Sequence, residues 1–228
     1  MLKSVLVPIN RAGWPFIGIL ATITALSAYY YQPLGWVGVI LTFWCAYFFR
    51  DPDRTTPVRD GLVISPADGV VQSIGLAAPP AEIGLGDTPR NRISIFMNVF
   101  DVHVNRIPIA GRIVKLAYRQ GKFFNASLDK ASEFNERQSF HLKTEDGADV
   151  GVVQIAGLIA RRIKCDLSEE QSMKAGERFG LIRFGSRVDV FLPNGVPPMV
   201  AVGQRAIAGE TVIADFRAQE PARNGEIR

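Results

Sequence analysis

The sequence predicts a mainly β chain with a few short helices, a barrel- or sandwich-like β-rich domain preceded by an apolar helical hairpin. Three observations carry that expectation. No charged side chain occurs between Arg11 and Arg50. From Asp60 onward, short β-type runs alternate with Gly, Pro, Asn and Asp. The 14 prolines and 21 glycines, against 21% charged residues, mark a turn-rich chain and argue against a coiled coil or simple helix bundle.

The first 59 residues read as a membrane-associating segment. The uncharged stretch divides at Gln32-Pro33 into two halves, 14–31 and 34–49. Each is close to the roughly 17–20 residues that a helix needs to cross a bilayer, and two short spans or an interfacial hairpin both fit. Lys3 and Arg11 precede the block, and Arg50, Arg54 and Arg59 follow it. That flanking charge favours both ends on the cytoplasmic side, hence a cell-membrane protein facing the cytoplasm. Tyr29-Tyr30-Tyr31, Phe43-Trp44 and Tyr47-Phe48-Phe49 resemble interfacial aromatic belts. A cleaved secretory signal ending near Ala25-Leu26-Ser27 is the competing reading. It is weakened by the second apolar half, which an exported domain would have to carry.

Residues 60–218 should form the β-rich domain. Strands are expected at Leu62-Val63-Ile64, 69–74, 93–96, 112–118, 139–143, 150–155, 161–164, 181–184, 188–192, 199–202 and 211–213. Two short helices are expected, 127–137 and 168–175, the second opening at Ser168-Glu169-Glu170 and stopping at Gly176. The tail from 219 to 228 holds Pro, Gly and charges without a period and should be mobile. A hydrophobic content of 47% is enough for a core. The net charge of +4 and pI of 9.2 suit an anionic partner without saying which. Cys45 and Cys165 stand far apart, which removes a disulfide framework and a Cys-x-x-Cys metal site.

Three segments could hold chemistry. His103, one of two histidines, lies in Phe100-Asp101-Val102-His103-Val104-Asn105-Arg106-Ile107-Pro108 and is the candidate imidazole acid or base. His141 sits in an alternating strand and reads as structural. Pro66-Ala67-Asp68-Gly69 is a turn in which Asp68 could also orient or deprotonate a partner histidine. Gly185-Ser186 interrupts two strand-like runs, and Arg187-Val188 follows it. That continuation is not the G-x-S-x-G elbow of an ordinary serine hydrolase.

Together with Phe49-Arg50-Asp51-Pro52 and the apolar leader, Pro66-Ala67-Asp68-Gly69, Asn98 to Arg106 and Phe184-Gly185-Ser186-Arg187 resemble the shorter class of phosphatidylserine decarboxylase proenzymes, over nearly the whole chain. The resemblance implies self-cleavage between Gly185 and Ser186, giving a large β chain and a small α chain that begins with a pyruvoyl group made from Ser186. It implies a covalent ketone cofactor, without pyridoxal phosphate or metal. That ketone would condense with the amine of phosphatidylserine in the bilayer and release carbon dioxide and phosphatidylethanolamine. Serine suits the cut because its hydroxyl can attack the preceding carbonyl and later leave by elimination. Glycine before it leaves that carbonyl unobstructed. His103 is the candidate acid for the protonation that follows decarboxylation.

The chain departs from the longer members of that family at two places. Their Tyr-His-x-x-His pattern reads Val102-His103-Val104-Asn105-Arg106 here, so Arg106 replaces a second histidine. His103 then serves both steps, or Asp68 alone acts as the cleavage base. Their Leu-Gly-Ser-Thr reads Phe184-Gly185-Ser186-Arg187. Arg106 and Arg187 are candidates to bind an anionic part of the substrate, and Arg161, Arg162 and Lys164 extend the basic set. A nucleic-acid partner is not expected, and a homo-oligomer is left open. The competing readings are a decarboxylase of a related serine phospholipid and a non-catalytic, membrane-anchored β-rich adaptor. The adaptor draws on Gly203 to Glu210, which looks like the strand-turn repeats of lipoyl-type carriers. Against it, Lys174 is expected in a helix and not at a hairpin tip.

Overall fold

The computed structural model describes residues 7–121, 134–157, 162–183, 186–221, 223 and 225–226. The chain forms two compact units, Met1–Asp53 and Arg54–Arg228.

The first unit is an antiparallel pair of helices, α1 (Trp14–Tyr30) and α2 (Gln32–Phe48). Pro15 and Pro33 each stand in a first turn, where a missing N–H costs nothing. Tyr31, extended at φ −151°, breaks the apolar run between them. Small residues let the helices approach closely. A Cβ on Gly35 would stand 2.4 Å from the Ala28 Cβ, and one on Gly38 would stand 2.5 Å from Thr24 Oγ1. Thr24 and Thr42 hydroxyls meet at 3.2 Å across the same seam. The outer faces are apolar and exposed, Ile40, Trp36 and Phe43 among them. Arg11 to Tyr30, 20 residues, is long and apolar enough to cross a membrane, whereas Gln32–Phe48 is shorter. An antiparallel bridge between Ile9 and Arg50 ties the entering and leaving segments together. The Asn10 amide donates to Asp51 at 3.2 Å beside it. Both ends of the pair therefore leave on one side.

The second unit is the mainly β body. Its strands are β1 (Leu62–Ile64), β2 (Gly69–Ala77), β3 (Arg90–Met97), β4 (Val104–Arg106), β5 (Gly111–Arg119), β6 (Arg137–Lys143), β7 (Asp149–Ala156), β8 (Ile163–Cys165), β9 (Ser172–Met173), β10 (Arg178–Ile182), β11 (Ser186–Phe191), β12 (Arg205–Ala206) and β13 (Val212–Asp215). Eight of them form a curled antiparallel sheet in the order β12-β2-β3-β11-β7-β6-β5-β9. β4-β10-β8 form a second sheet and β1-β13 a third. Alternation sends Ile93, Ile95 and Met97, Val188 and Val190, and Val150, Val152 and Ala156 to the inner face of the large sheet. Phe179 of β10 covers that face, meeting Phe140 edge-on at 5.0 Å. Val153, Ile155 and Phe191 form a smaller cluster on the outer face.

Several expected elements are corrected. Residues 168–175 are not a helix: Glu170 turns through a left-handed φ of 66°, and β9 follows. The reason is competition from the edge of β5, because Glu170 N donates to Ile113 O and Ile113 N to Gln171 O, both at 2.8–2.9 Å. Lys174 consequently lies in a turn closed by Glu177 N on Lys174 O, not in a helix. The expected helix 127–137 falls largely outside the described residues, and its last residue, Arg137, opens β6 opposite Arg119. Residues 199–202 make turns, and the neighbouring strand is β12, paired with β2. The first residue of the expected run 161–164 and the last of 181–184 lie outside the described residues. In the tail, Arg223 donates to Met199 O at 3.3 Å, while residues 222, 224, 227 and 228 lie outside the description.

Candidate active site

Register brings the three candidate segments to one end of the large sheet. Val70 pairs with Phe96, Phe96 with Arg187, and Arg187 with Ile155. One row further out, Ser186 stands between Met97 and Ala156. Asp68 precedes β2, whose first residue, Gly69, lies so close to Phe96 that a Cβ would be 2.2 Å from its carbonyl oxygen. His103 follows the turn that leaves β3 after Met97. In that turn the Asp101 carboxylate accepts from Asn98 N at 2.9 Å.

Three tethers fix His103 and Asp68 relative to that edge. The His103 carbonyl accepts from Ile182 N at 3.3 Å, at the foot of the segment leading to Ser186. Arg106 N donates to Pro66 O at 2.9 Å, joining β4 to the turn that carries Asp68. Arg205, opposite Val70, pairs with Asp101 at 2.5 Å. The hydrogen bond from Arg205 to Asp101 and the carboxylate charge raise the guanidinium further above its ordinary range, with the Asp68 charge adding to the shift and desolvation opposing it.

The side chains have defined states. His103 is buried, and its Nδ1 lies 2.9 Å from Asp101 O. A carbonyl only accepts, so Nδ1 carries the proton and Nε2 is the basic nitrogen of the neutral ring. Asp68 is also buried. Its Oδ2 accepts from Arg54 at 2.7 Å and its Oδ1 from Ala208 N at 2.8 Å. Ser186 is fully buried, and its hydroxyl has no hydrogen-bond partner among the described residues. Gly185 lies outside those residues, as does Phe184.

The two arginine candidates separate. Arg106 is buried, donates from Nη1 to Gly176 O at 2.8 Å, and lines an open recess of about 560 Å³ with Arg54, Lys174 and Arg178. Arg187 goes elsewhere. Successive strand residues face opposite ways, so its side chain leaves the sheet on the face opposite Ser186. There it is 1% exposed and forms an ion pair with Asp189, Nε to Oδ1 at 2.9 Å and Nη2 to Oδ2 at 3.0 Å. The structure does not bring Arg187 to Ser186. Lys164 pairs with Asp166 on the surface, and Arg161 lies outside the described residues. His141, bonded to Asp149 at 2.8 Å, is opposite Gly151, five residues along β7 from Ala156. That spacing is about 17 Å of strand.

Three neighbours of the site escaped the sequence reading: Arg54, which holds Asp68, and the buried amides Asn105 and Gln154. Gln154 did leave a signal, being polar yet in phase with Val150, Val152 and Ala156 on an inward face. Among the described residues no group of three or more His, Cys, Asp or Glu could hold a metal ion. A small acyl group at Ser186 would have polar company in the buried amides Asn105 and Gln154, which are bonded to each other at 2.7 Å.

Comparison with known proteins agrees with the motif reading. The model of the phosphatidylserine decarboxylase family matches residues 41–214. The chain is similar to the phosphatidylserine decarboxylase proenzyme of Paramagnetospirillum magneticum, 62% identical over the whole chain and 95% of that protein. The proenzyme of Cereibacter sphaeroides is 55% identical over the whole chain and 98% of its own length. That of Ruegeria pomeroyi is 58% identical over 95% of this chain and 99% of its own. With identities this high across the full length, and a family match that includes Asp68, His103 and Ser186, the chain belongs to the phosphatidylserine decarboxylase family.

Proposed function

We propose that the chain is a self-processing decarboxylase that converts phosphatidylserine to phosphatidylethanolamine and carbon dioxide at the cytoplasmic face of the cell membrane. The observation that carries this reading is the fully buried hydroxyl of Ser186, without a hydrogen-bond partner among the described residues, at the end of the sheet to which the Asp68 and His103 segments also come. A buried hydroxyl without a partner forfeits about 1–3 kcal/mol, which suits a group held for reaction. The word proenzyme in the names of the relatives supports processing.

In the precursor, Ser186 Oγ attacks the carbonyl carbon of Gly185, and the peptide nitrogen leaves that carbon as the ester forms. Loss of the Ser186 α-proton then expels the Gly185 carboxylate and leaves a dehydroalanine. Tautomerisation and attack by one water release ammonia, and the small chain acquires an N-terminal pyruvoyl group. Asp68, held at both oxygens by Arg54 and Ala208 N, provides a fixed carboxylate for the proton transfers. With Arg106 in the place of a second histidine, His103 is the imidazole for both stages. The pyruvoyl ketone supplies an electrophile for the substrate amine and a sink for the electron pair left as carbon dioxide departs. His103, with Nδ1 fixed on Asp101 O, takes up a proton at Nε2 and delivers it from there to the carbon that has lost its carboxyl group. Arg106, Lys174 and Arg178, in a recess that Glu177 also lines, would offer the substrate phosphodiester cationic partners.

The test is a denaturing gel with intact mass. The purified protein should separate into residues 1–185 and 186–228, the smaller piece lacking a free amino terminus. Ser186→Ala should remain whole and inactive. An uncleaved Ser186→Ala protein with full turnover would overturn the reading.

A further inference from the structure

Two fully buried polar side chains lie on the inner face beside Ser186 and are not used by the chemistry above. Asn105 and Gln154 are both 0% exposed. The Asn105 amide N–H points at the Met97 thioether at 3.6 Å, and its Oδ1 accepts from Gln154 Nε2 at 2.7 Å. The order of donors is chemically fixed, because a thioether can only accept. Met97 takes the Asn105 N–H, Asn105 Oδ1 therefore faces Gln154, and Gln154 Oε1 becomes the terminal acceptor. That oxygen is buried and has no hydrogen-bond partner among the described residues.

Met97 and Gln154 belong to β3 and β7, the strands on either side of β11. The Asn105 amide thus spans β11 on the face that carries Ser186. Gln154 stands opposite Val188, diagonal to Ser186 and two residues from its direct partner Ala156. Long side chains reach such diagonal neighbours. The Ser186 hydroxyl is not a lasting partner for Gln154 Oε1, since processing consumes it. The group the reaction brings to this position with N–H bonds to donate is the substrate's amine.

We propose that Gln154 Oε1 is the binding site for the primary amino group of the substrate, held in place by Asn105 and Met97. It accepts one amine N–H and so favours headgroups that keep an N–H over fully alkylated ones. This rests on the pyruvoyl reading, and it concerns the lipid-binding stage and not self-cleavage.

The experiment uses full-length protein with Gln154→Met, similar in size but without the acceptor, and Gln154→Glu, which as a buried neutral acid keeps an oxygen there and an O–H for Asn105 Oδ1. Cleavage is read on a denaturing gel. Capture of the amine is read separately, by the mass of phosphatidylserine fixed to the small chain with cyanoborohydride. Both variants should cleave. Gln154→Met should need about 10-fold more lipid for half-maximal capture, the loss of one hydrogen bond to a charged group. Gln154→Glu should stay within about 3-fold of the natural protein. Cleaved Gln154→Met that captures lipid as the natural protein does would overturn the proposal. So would failure of either variant to cleave, which would assign the amide to the precursor. If the natural protein itself stays whole, the pyruvoyl reading is what has failed, and the proposal falls with it.

Discussion

At Gly69 the backbone of β2 comes so close to β3 that no side chain fits, and the position of Asp68 depends on that approach. The obstacle is a backbone carbonyl, Phe96 O, which is held in the sheet and has no rotamer to change. Gly69→Ala should therefore cost about 1–3 kcal/mol, as overpacking does. Urea unfolding of the uncleaved Ser186→Ala background measures it, and slower self-cleavage in the otherwise natural chain should accompany it as Asp68 shifts. An unchanged unfolding midpoint would mean that the two strands separate freely there. The turn at Pro66-Ala67-Asp68-Gly69 was legible because its signals are local. The partners of Asp68 were not, since Arg54 is 14 residues before it and Ala208 140 after it. Strand alternation also carried the fate of Arg187: a residue adjacent to Ser186 on one strand faces away from it. Adjacency in sequence suggested a shared site, and the pleat separates the two.

At the scale of elements, the short strands β1 and β13 depend on one carboxylate. Leu62 pairs with Asp215, and the Asp215 carboxylate accepts from Arg59 on one oxygen and from Arg217 N on the other. Burial by itself would raise this carboxyl, but the Arg59 and Arg217 contacts outweigh burial and hold it below its ordinary value of 3.8. A lowered carboxyl contributes stability that is complete above the ordinary value and is lost as pH falls through the folded one. Asp215→Asn should cost about 1 kcal/mol at pH 7, a modest figure because Arg59 is 42% exposed and screened by solvent. The difference from the natural protein should shrink below about pH 4 and vanish in stronger acid. Denaturant titrations at pH 7 and pH 3 check it, and a gap of equal size at both would place the stabilisation outside the ion pair. Longer strands such as β5, β6 and β7 were readable as β-type runs bounded by turn residues. The two- and three-residue strands β4, β9 and β12 were not, because their pairing is set by a distant edge and not by their own pattern. Residues 168–175 show the same competition, in which a plausible helix cap lost to the open edge of β5.

For the molecule as a whole, the apolar leader and the β body answer different physical demands. A diacyl substrate stays in the bilayer, because each methylene drawn into water costs about 0.8 kcal/mol. An enzyme held at the membrane meets that lipid at a high effective concentration without extracting it. The helical pair was legible from its missing charges and its Gln32-Pro33 break. Its close seam was not, since only the structure shows Gly35 against Ala28 and Gly38 against Thr24. The β body holds its candidate site within its own residues, with Arg54 at its first position already bonded to Asp68. A chain beginning at Arg54 should consequently still cleave before Ser186, yet lose most of its turnover on phosphatidylserine vesicles, by at least about 10-fold. On a short-chain phosphatidylserine dissolved as monomers, its kcat/KM should approach that of the full chain. The two measurements together separate access from chemistry. Equal losses on vesicles and on monomers would mean that the first 53 residues shape the site itself, and equal activity on vesicles would mean that the β body finds the membrane unaided.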